Sequence, residues 1–457
     1  MKFIFLVLLL AAIPWFSARF AYSEKARRAG AFALSFLPLI SHQVQTSVFP
    51  IAWPYWPGYV RGFEFGIEDA VAIAALIAVK RRSAPVGNVI AYAALGALAL
   101  ASAFHGVAPL ASSFVAWQFA RSCLVYLAVY RLCQSMFAIR GLIGGLTAGL
   151  CLNAIAATRQ HFDGISQATG LFEHQNLLGM LSHFIVLTGA GLYIADRSSR
   201  WPLIALGAGA IVAVFGASRA TVALQAIGLV AVIILSLVRR PSRRAGSLLA
   251  IGLFGMLLAA PFAYKAISPR IAAAAAGPEY DERAAFESAA KSMISDHPLG
   301  VGANHYVIVA NTQGYSARAG VTWASGSRSA NVHNAYLLTI AEMSYAALVP
   351  LIWLLGVPAL LALAAAFRRR RAEFGPILIG AGAANVMVAV HSTVEWIFVT
   401  QEVQLLLAAN IGLIASALAL QRSSAQNPPI PIAGASLEPA LSGASATKTS
   451  RLLQPDK

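Results

Sequence analysis

The chain has 457 residues, of which 58% are hydrophobic and only 11% are charged. A soluble globular domain carries about 25% charged residues, so this composition excludes a protein that is wetted on all sides. The formal net charge is +16, but the cations are grouped in short segments between apolar runs. That grouping is typical of cytoplasmic loops in membrane proteins, so we expect membrane lipid and no nucleic acid as a partner. The basic segments are residues 25–28, 80–82, 197–200, 239–244 and 368–371.

The predicted elements are all α-helical. Crossing a bilayer takes about 20 apolar residues in a helix, and the runs predict a polytopic membrane protein of about 12 transmembrane helices. The first run resembles a signal peptide without a convincing cleavage site, so we interpret it as the first membrane helix. The apolar runs fall near residues 3–20, 29–45, 66–79, 86–104, 113–132, 141–158, 176–195, 201–216, 219–238, 247–264, 335–366, 374–394 and 402–420.

The spacing of these runs divides the chain into four parts. We predict N-terminal transmembrane helices over residues 1–264, an extracytoplasmic loop over 265–334, C-terminal transmembrane helices over 335–420, and a disordered cytoplasmic tail over 421–457. The loop contains an amphipathic helix near 278–298, and a loop of this length usually carries function. The aromatic-rich residues 49–65 resemble an interfacial belt. Three cysteines in apolar segments, without CxxC spacing, support neither disulfides nor a metal site.

Arg219 is the first candidate for chemistry. It follows Ser218 at the start of an apolar run, on the side opposite to the basic loops. A helix N-terminus attracts anions, so an arginine there predicts a phosphate-binding position at membrane depth. The alternative is a side chain that simply extends to the interface. Arg159 lies on the same side as an accessory candidate.

Arg283 lies in the first turn of the predicted loop helix. From spacing alone, the simpler interpretation is an i,i+4 ion pair with Glu287. His333 stands between the loop and the next apolar run, beside Asn334. A neutral imidazole at such an interface is suited to accept a proton near neutral pH, although a structural histidine is the alternative.

His391 and Glu395 are spaced i and i+4 near the end of an apolar run. On one helix this spacing places both side chains on the same face. A metal pair would need a third ligand, and none is evident. A hydrogen-bonded structural pair is therefore the favoured interpretation, and we expect no metal and no cofactor.

Four stretches resemble the O-antigen ligase and polymerase superfamily. Their order and separations fit that family over roughly residues 66–420. The first stretch contains a glycine-aromatic pattern that leads to Asn176, an accessory candidate. The stretches are GLFEHQNLLGMLSHF (170–184), GASRATVALQAIGLV (216–230), ERAAFESAAKSMISDHPLGVGANHY (282–306) and VHNAYLLTIAEMSYAALVP (332–350).

The resemblance implies a GT-C-like membrane glycosyltransferase in the bacterial inner membrane. It implies an undecaprenyl-diphosphate-linked glycan as donor, transferred without a metal, on the periplasmic side, to a glycan or lipid-linked acceptor. By position, His333 matches the family's essential histidine, and Arg219 and Arg283 match two arginines that bind the diphosphate. A chain-length regulator is an expected partner if the chain polymerises repeat units.

The resemblance leaves the exact activity open. Family members commonly have glycines where this chain has Ser344 and Ala347, and those glycines are prominent in ligases. The departure favours a polymerase of O-antigen or exopolysaccharide repeat units over a ligase that transfers glycan to lipid A–core. A transporter without chemistry would place polar residues at the bilayer midplane, whereas here they gather at one face.

Overall fold

A computed structural model describes residues 2–79, 84–196, 198, 200–275 and 282–426. The predicted basic loop 80–82, Arg197 and most of the predicted tail, residues 427–457, lie outside the described residues. Residues 421–426, the beginning of that tail, continue the last helix.

The described chain is mostly helical, with one short antiparallel hairpin. In chain order the elements are α1 (Lys2–Tyr22), α2 (Glu24–Phe36), β1 (Ser47–Ala52), β2 (Gly62–Gly66), α3 (Ile67–Ala78), α4 (Val86–Ser102), α5 (Pro109–Leu132), α6 (Met136–Phe162), α7 (Gln175–Ala195), α8 (Leu203–Gly216), α9 (Arg219–Arg239), α10 (Arg243–Ala275), α11 (Glu282–Asp296), α12 (Tyr306–Thr312), α13 (Tyr315–Arg318), α14 (Ser325–Arg328), α15 (Ala335–Met343), α16 (Leu348–Arg368), α17 (Gly375–His391) and α18 (Gln401–Gln426).

Six of the described helices are long and apolar enough to cross a membrane. They are α1, α6, α7, α9, α16 together with the turn before it, and α18. Three further apolar helices, α4, α8 and α17, have 10 to 17 residues. The chain is therefore a mostly helical protein with several candidate membrane spans, and the larger number of about 12 remains a prediction.

Helix α7 forms the centre of the bundle. All its residues from Asn176 to Ile194 are buried, as expected of a helix that is apolar all round. It packs against α17 with almost no side chain between the two backbones: a Cβ at Gly191 would lie 2.5 Å from the carbonyl oxygen of Pro376. This close approach fixes the N-terminal end of α17 against the last turns of α7, and the candidate site begins at the other end of α17.

The two ends of α7 have different surroundings. Its last turn lies near the basic segments, since residues 194–196, 239–244 and 371–373 line one cavity. Its first turn contacts the segment around Glu395. A 21-residue helix is about 30 Å long, so the basic segments and the candidate site lie at opposite ends of the bundle.

Two segments differ from the sequence interpretation. The aromatic stretch 49–65 forms most of the β1–β2 hairpin instead of a simple interfacial belt. The apolar run 335–366 is divided, because α15 ends at Met343 and Ser344 has a φ of +70°. Helix α16 begins at Leu348, after a 3₁₀ turn over Tyr345–Ala347. The first nine residues of the run therefore form a separate short helix that is largely buried.

Candidate functional site

Glu395 is the centre of the candidate site. It lies between α17 and α18 and is 2% exposed. Its carboxylate accepts hydrogen bonds from Asn176 Nδ2 at 2.5 Å and Arg283 Nη2 at 3.0 Å, both on Oε1, and His333 Nδ1 lies 3.2 Å from Oε2. A buried carboxylate is tolerated only when it is paired and hydrogen-bonded, and here three separate segments supply the donors.

The contact with Glu395 defines the tautomer of His333. A carboxylate can only accept, so Nδ1 carries a proton, and in the neutral imidazole Nε2 keeps its lone pair. The ring packs on Phe286 of α11, with 5.6 Å between the ring centroids. Its side chain is 21% exposed, and no described residue is hydrogen-bonded to Nε2. His333 is therefore held with an available proton acceptor facing away from Glu395.

Arg283 occupies the same side of Glu395 as Asn176. Its guanidinium forms a long-range ion pair with Glu395, and its side chain is 53% exposed. Glu287, the partner expected from spacing, instead pairs with Lys291 at 3.1 Å. Arg283 thus links the loop helix to the site and still presents a charged group to solvent.

Local backbone contacts hold His333 against Glu395. Asn334 caps α15, because its Oδ1 accepts from the backbone N–H groups of Tyr336 and Leu337. Ala335 N donates to Ser392 O at 2.9 Å, which ties the start of α15 to the end of α17. The accessory candidate Asn334 therefore acts through the backbone as a helix cap.

Arg219 lies at the same end of the bundle but outside the hydrogen-bonded group. It is the first residue of α9, after the Ser218 cap, and is exposed without a hydrogen-bond or ion-pair partner among the described residues. Two residues further, Thr221 contacts α7 at Gly179, where an added Cβ would lie 1.9 Å from Oγ1. Since Gly179 is one turn after Asn176, Arg219 lies close to the level of the site.

The other two accessory candidates have different positions. His391 is the last residue of α17, so it does not share a helix face with Glu395 as its spacing predicted. It is fully buried, and its Nδ1 lies 3.1 Å from Nε2 of His183 on α7. Arg159 is exposed and pairs with Asp163 in the next turn, 3.7 Å away. Neither side chain forms a hydrogen bond or an ion pair with Glu395 in the described part of the chain.

A second buried carboxylate, Glu342, organises the glycine-rich turn of the loop. Its oxygens accept from the backbone N–H groups of Asn304 and Tyr306 at 2.8 and 2.9 Å, and from the Tyr59 hydroxyl at 2.8 Å. Gly300 in this turn has a φ of +86°, and a Cβ there would lie 2.4 Å from the carbonyl oxygen of Glu342. Burial raises the pKa of Glu342 to about 7.

A cavity of about 630 Å³ adjoins the Glu395 group. Residues next to the site in the chain, His174, Leu177 and Trp396, form part of its wall. Its volume falls within the roughly 300–1,000 Å³ of small-molecule sites. The remaining wall combines aromatic rings with hydrogen-bonding side chains, principally Phe49, Tyr59, Phe114, Trp117, His42, Glu64, Gln118, Arg121, Glu173, Gln401 and Glu402.

Arg121 connects this cavity to the protein interior. The side chain is 1% exposed and contacts three carboxylates, those of Glu64, Glu68 and Asp69, and the Gln401 amide. The sequence interpretation missed this group, although an arginine inside the apolar run 113–132 is a signal in itself, because a charge at membrane depth needs partners.

His174 was also missed. It precedes α7, and its Nδ1 accepts from the backbone N–H of Asn176 at 3.1 Å. Partial desolvation of its ring lowers its pKa, which favours the neutral form that this cap requires. The signal was its position two residues before Asn176, where a polar side chain caps a helix.

The site thus combines an oriented imidazole, two arginines at the same end of the bundle, and a cavity lined by polar and aromatic side chains. Among the described residues, no group of three or more His, Cys, Asp or Glu side chains is arranged to hold a metal ion. The chain matches no protein-family model, and no curated protein matches it significantly.

Proposed function

We propose that this chain is a glycosyltransferase of a bacterial inner membrane that transfers a glycan from an undecaprenyl-diphosphate donor to a sugar hydroxyl, outside the cytoplasm. The observation that carries the proposal is the contact of Glu395 with both His333 and Arg283. It joins a proton acceptor and a diphosphate-binding cation in one group, at the end of the bundle opposite to the basic segments.

The donor needs stabilisation of its leaving group. When the bond between the sugar C1 and the phosphate oxygen breaks, its electron pair remains on the diphosphate. Arg283 and Arg219 supply guanidinium groups for that developing charge, and such groups bind phosphate oxygens in bidentate fashion. The exposure of both side chains is consistent with contact to a ligand that arrives from outside the protein.

The acceptor needs a base. As its hydroxyl oxygen bonds to C1, the hydroxyl proton moves to Nε2 of His333. Glu395 keeps the proton on Nδ1 and stabilises the imidazolium that forms, as the carboxylate does in a Ser-His-Asp arrangement. The proton then leaves to solvent or to the released diphosphate, so that His333 returns to its neutral state.

The polar-aromatic cavity suits the acceptor sugars better than the diphosphate. Aromatic rings pack against the apolar faces of sugars, while amides and carboxylates accept from their hydroxyls. Its carboxylates, including Glu64, Glu173 and Glu402, make the cavity unfavourable for an anion.

A substitution that fills the cavity tests this assignment. Thr400 lines the cavity, so Thr400→Trp should raise the KM for the acceptor. Thr393 is exposed and lies outside the cavity, so Thr393→Trp should leave that KM unchanged.

The experiment that tests the function is in vitro transfer by the purified full-length protein from extracted lipid-linked donor. His333→Ala should lower the transfer rate by ~10²–10⁴-fold, the usual contribution of a general base, while donor binding persists. His105→Ala, which alters an exposed histidine, is the matched control. A wild-type rate for His333→Ala would refute the mechanism, and absence of transfer by the wild type with any such donor would refute the function.

The product distinguishes the two activities. A polymerase yields a ladder of lengthened chains on the polyprenyl carrier, whereas a ligase yields glycan on lipid A–core. We propose the polymerase, because the chain departs from the ligase glycine pattern at Ser344 and Ala347.

A further inference from the structure

A second cavity lies at the basic end of the bundle, about one helix length from the candidate site. It has a volume of about 900 Å³ and forms where α6, α7, α9, α10 and the link between α16 and α17 meet. Its acidic lining residues are Asp196 and Glu373, and six arginines also line it, Arg140, Arg239, Arg240, Arg243, Arg244 and Arg371. The excess of guanidinium groups makes the cavity strongly electropositive.

Part of this charge has a structural role. Arg140 pairs with Asp196 at 2.8 Å, and Arg239 donates to the carbonyl oxygen of Ala366 at 2.9 Å. The side chains of Arg240, Arg243 and Arg371 are different: they are exposed, and none has a hydrogen-bond or ion-pair partner in the described part of the chain. These three positive charges exceed the single negative charge that Glu373 adds to the same cavity, so an anion among them is favoured.

A buried hydroxyl at the cavity wall points to the same ligand chemistry. Ser236 is 2% exposed, lines the cavity, and its Oγ has no hydrogen-bond partner among the described residues. Buried hydroxyls normally have a partner, and each exception calls for an explanation. A phosphate oxygen held by the arginines would accept a hydrogen bond from this hydroxyl.

Apolar surface continues from the cavity along the same helices. On α9, Ile234 and Val238 are exposed within about one and a half turns before Arg239, and on α10 Leu249 and Phe254 are exposed after Arg244. A free phosphate would leave this apolar surface uncovered, whereas the acyl chains of a lipid would pack on it. The combination favours a phosphate that is attached to lipid.

We propose that this cavity binds the headgroup of an anionic phospholipid from the surrounding bilayer. Arg240, Arg243 and Arg371 hold the phosphate, the Ser236 hydroxyl donates to it, and the acyl chains lie on the exposed faces of α9 and α10. Basic pockets between membrane helices bind anionic headgroups in this way. The proposal is independent of the glycosyltransferase function and concerns the opposite end of the molecule.

Native mass spectrometry of the full-length protein, released from a neutral detergent and titrated with phosphatidylglycerol or phosphatidylcholine, tests it. One phosphatidylglycerol should be retained in preference to phosphatidylcholine. Each basic residue near an anionic lipid contributes a factor of about five. Arg240→Gln/Arg243→Gln/Arg371→Gln should therefore weaken binding by roughly 100-fold, and Ser236→Ala by roughly tenfold.

The matched control removes three arginines from the same end without touching the cavity. Arg368→Gln/Arg370→Gln/Arg422→Gln changes exposed residues that do not line it, and its affinity should remain within about twofold of the wild type. Equal losses in both triple variants would indicate general charge attraction and overturn the proposal. So would retention of phosphatidylcholine as strongly as phosphatidylglycerol, or full displacement by millimolar inorganic phosphate. If the cavity variant does not fold, unchanged affinity in Arg243→Gln would overturn it.

Discussion

Glu342 and Glu395 are two glutamates at similar depth, 1% and 2% exposed. Both accept three close contacts, but the donors differ. Glu342 accepts from two backbone N–H groups of the loop and from one hydroxyl, that of Tyr59, between β1 and β2. Glu395 accepts only from side chains, and two of these, Arg283 and His333, also reach solvent.

The difference separates a structural carboxylate from one that can serve chemistry. Backbone donors are fixed by the fold, so removing their acceptor reduces stability. Side-chain donors that reach solvent can contact a ligand, and their common acceptor sets their orientation and protonation. Burial alone therefore does not identify a functional carboxylate; the identity of its donors does.

The largest effect is expected from Glu395→Gln. Because Asn176 and Arg283 both donate to Oε1, the amide oxygen should occupy that position and the NH₂ group should face His333 Nδ1. His333 would then carry its proton on Nε2 and could not act as a base. We expect kcat to fall by ~10³–10⁴-fold, as for other triads with the wrong tautomer.

This result is measured as kcat at saturating donor and acceptor, with the thermal unfolding midpoint recorded in parallel. Glu287→Gln, on the exposed face of α11, is the control and should have wild-type kcat. A lowered unfolding midpoint with unchanged kcat per folded molecule would place Glu395 in the same structural class as Glu342.

The next largest effect concerns Arg219, which lacks a partner among the described residues. Arg219→Lys keeps the charge but loses the bidentate geometry for phosphate. We expect kcat/KM for donor to fall by ~10²–10³-fold, comparable to the loss of one preorganised donor to a developing anion. Arg159→Lys, which alters an exposed arginine in the last turn of α6, should leave it unchanged. Equal activity of both variants would indicate that the Arg219 side chain only extends to the membrane interface and does not bind the donor.

Much of the fold and half of the site could be predicted from the sequence. Apolar runs indicate membrane helices, and His333 was recognisable because it stands where the loop meets a helix. Its link to Glu395 could not be predicted, since three helices, α15, α16 and α17, separate the two residues in the chain and the spacing of His391 and Glu395 indicated a shared helix. The helix ends at His391 instead, which frees Glu395 to turn toward His333.

Glu342→Gln should affect stability and not chemistry. Both carboxylate oxygens of Glu342 receive a backbone N–H, so either orientation of an amide places its NH₂ group against a backbone donor. An unsatisfied buried donor costs about 1–3 kcal/mol, and the thermal unfolding midpoint should fall accordingly. Transfer per folded molecule should stay near the wild-type value. Loss of transfer without loss of stability would contradict the comparison.

The pKa of Glu342 also predicts that the stability of the protein depends on pH. The pKa of Glu342 is about 7 in the folded protein and its ordinary value is 4.5. Between these values the folded state binds more protons than the unfolded state, so this group's contribution to stability decreases as pH rises. The unfolding midpoint of the wild type should therefore contain a component that falls as the pH rises from 4.5 and becomes constant above about 7. This component should be absent from the midpoint of Glu342→Gln.

The smallest effect is expected two residues away, at Ser344. Its φ of +70° and ψ of 173° belong to a region that is essentially restricted to glycine, and such strain costs about 1–3 kcal/mol. Ser344→Gly relieves it and loses only the contact from Ala346 N to Ser344 Oγ, at 3.3 Å, and some backbone entropy. We expect a net gain of about 1 kcal/mol, measured as a higher unfolding midpoint.

Ser329→Gly, where φ is −96°, is the control and should not stabilise the protein. A lower midpoint for Ser344→Gly would show that the serine cap outweighs the strain. A higher midpoint at unchanged kcat would show that this turn, like Glu342, affects stability and not catalysis.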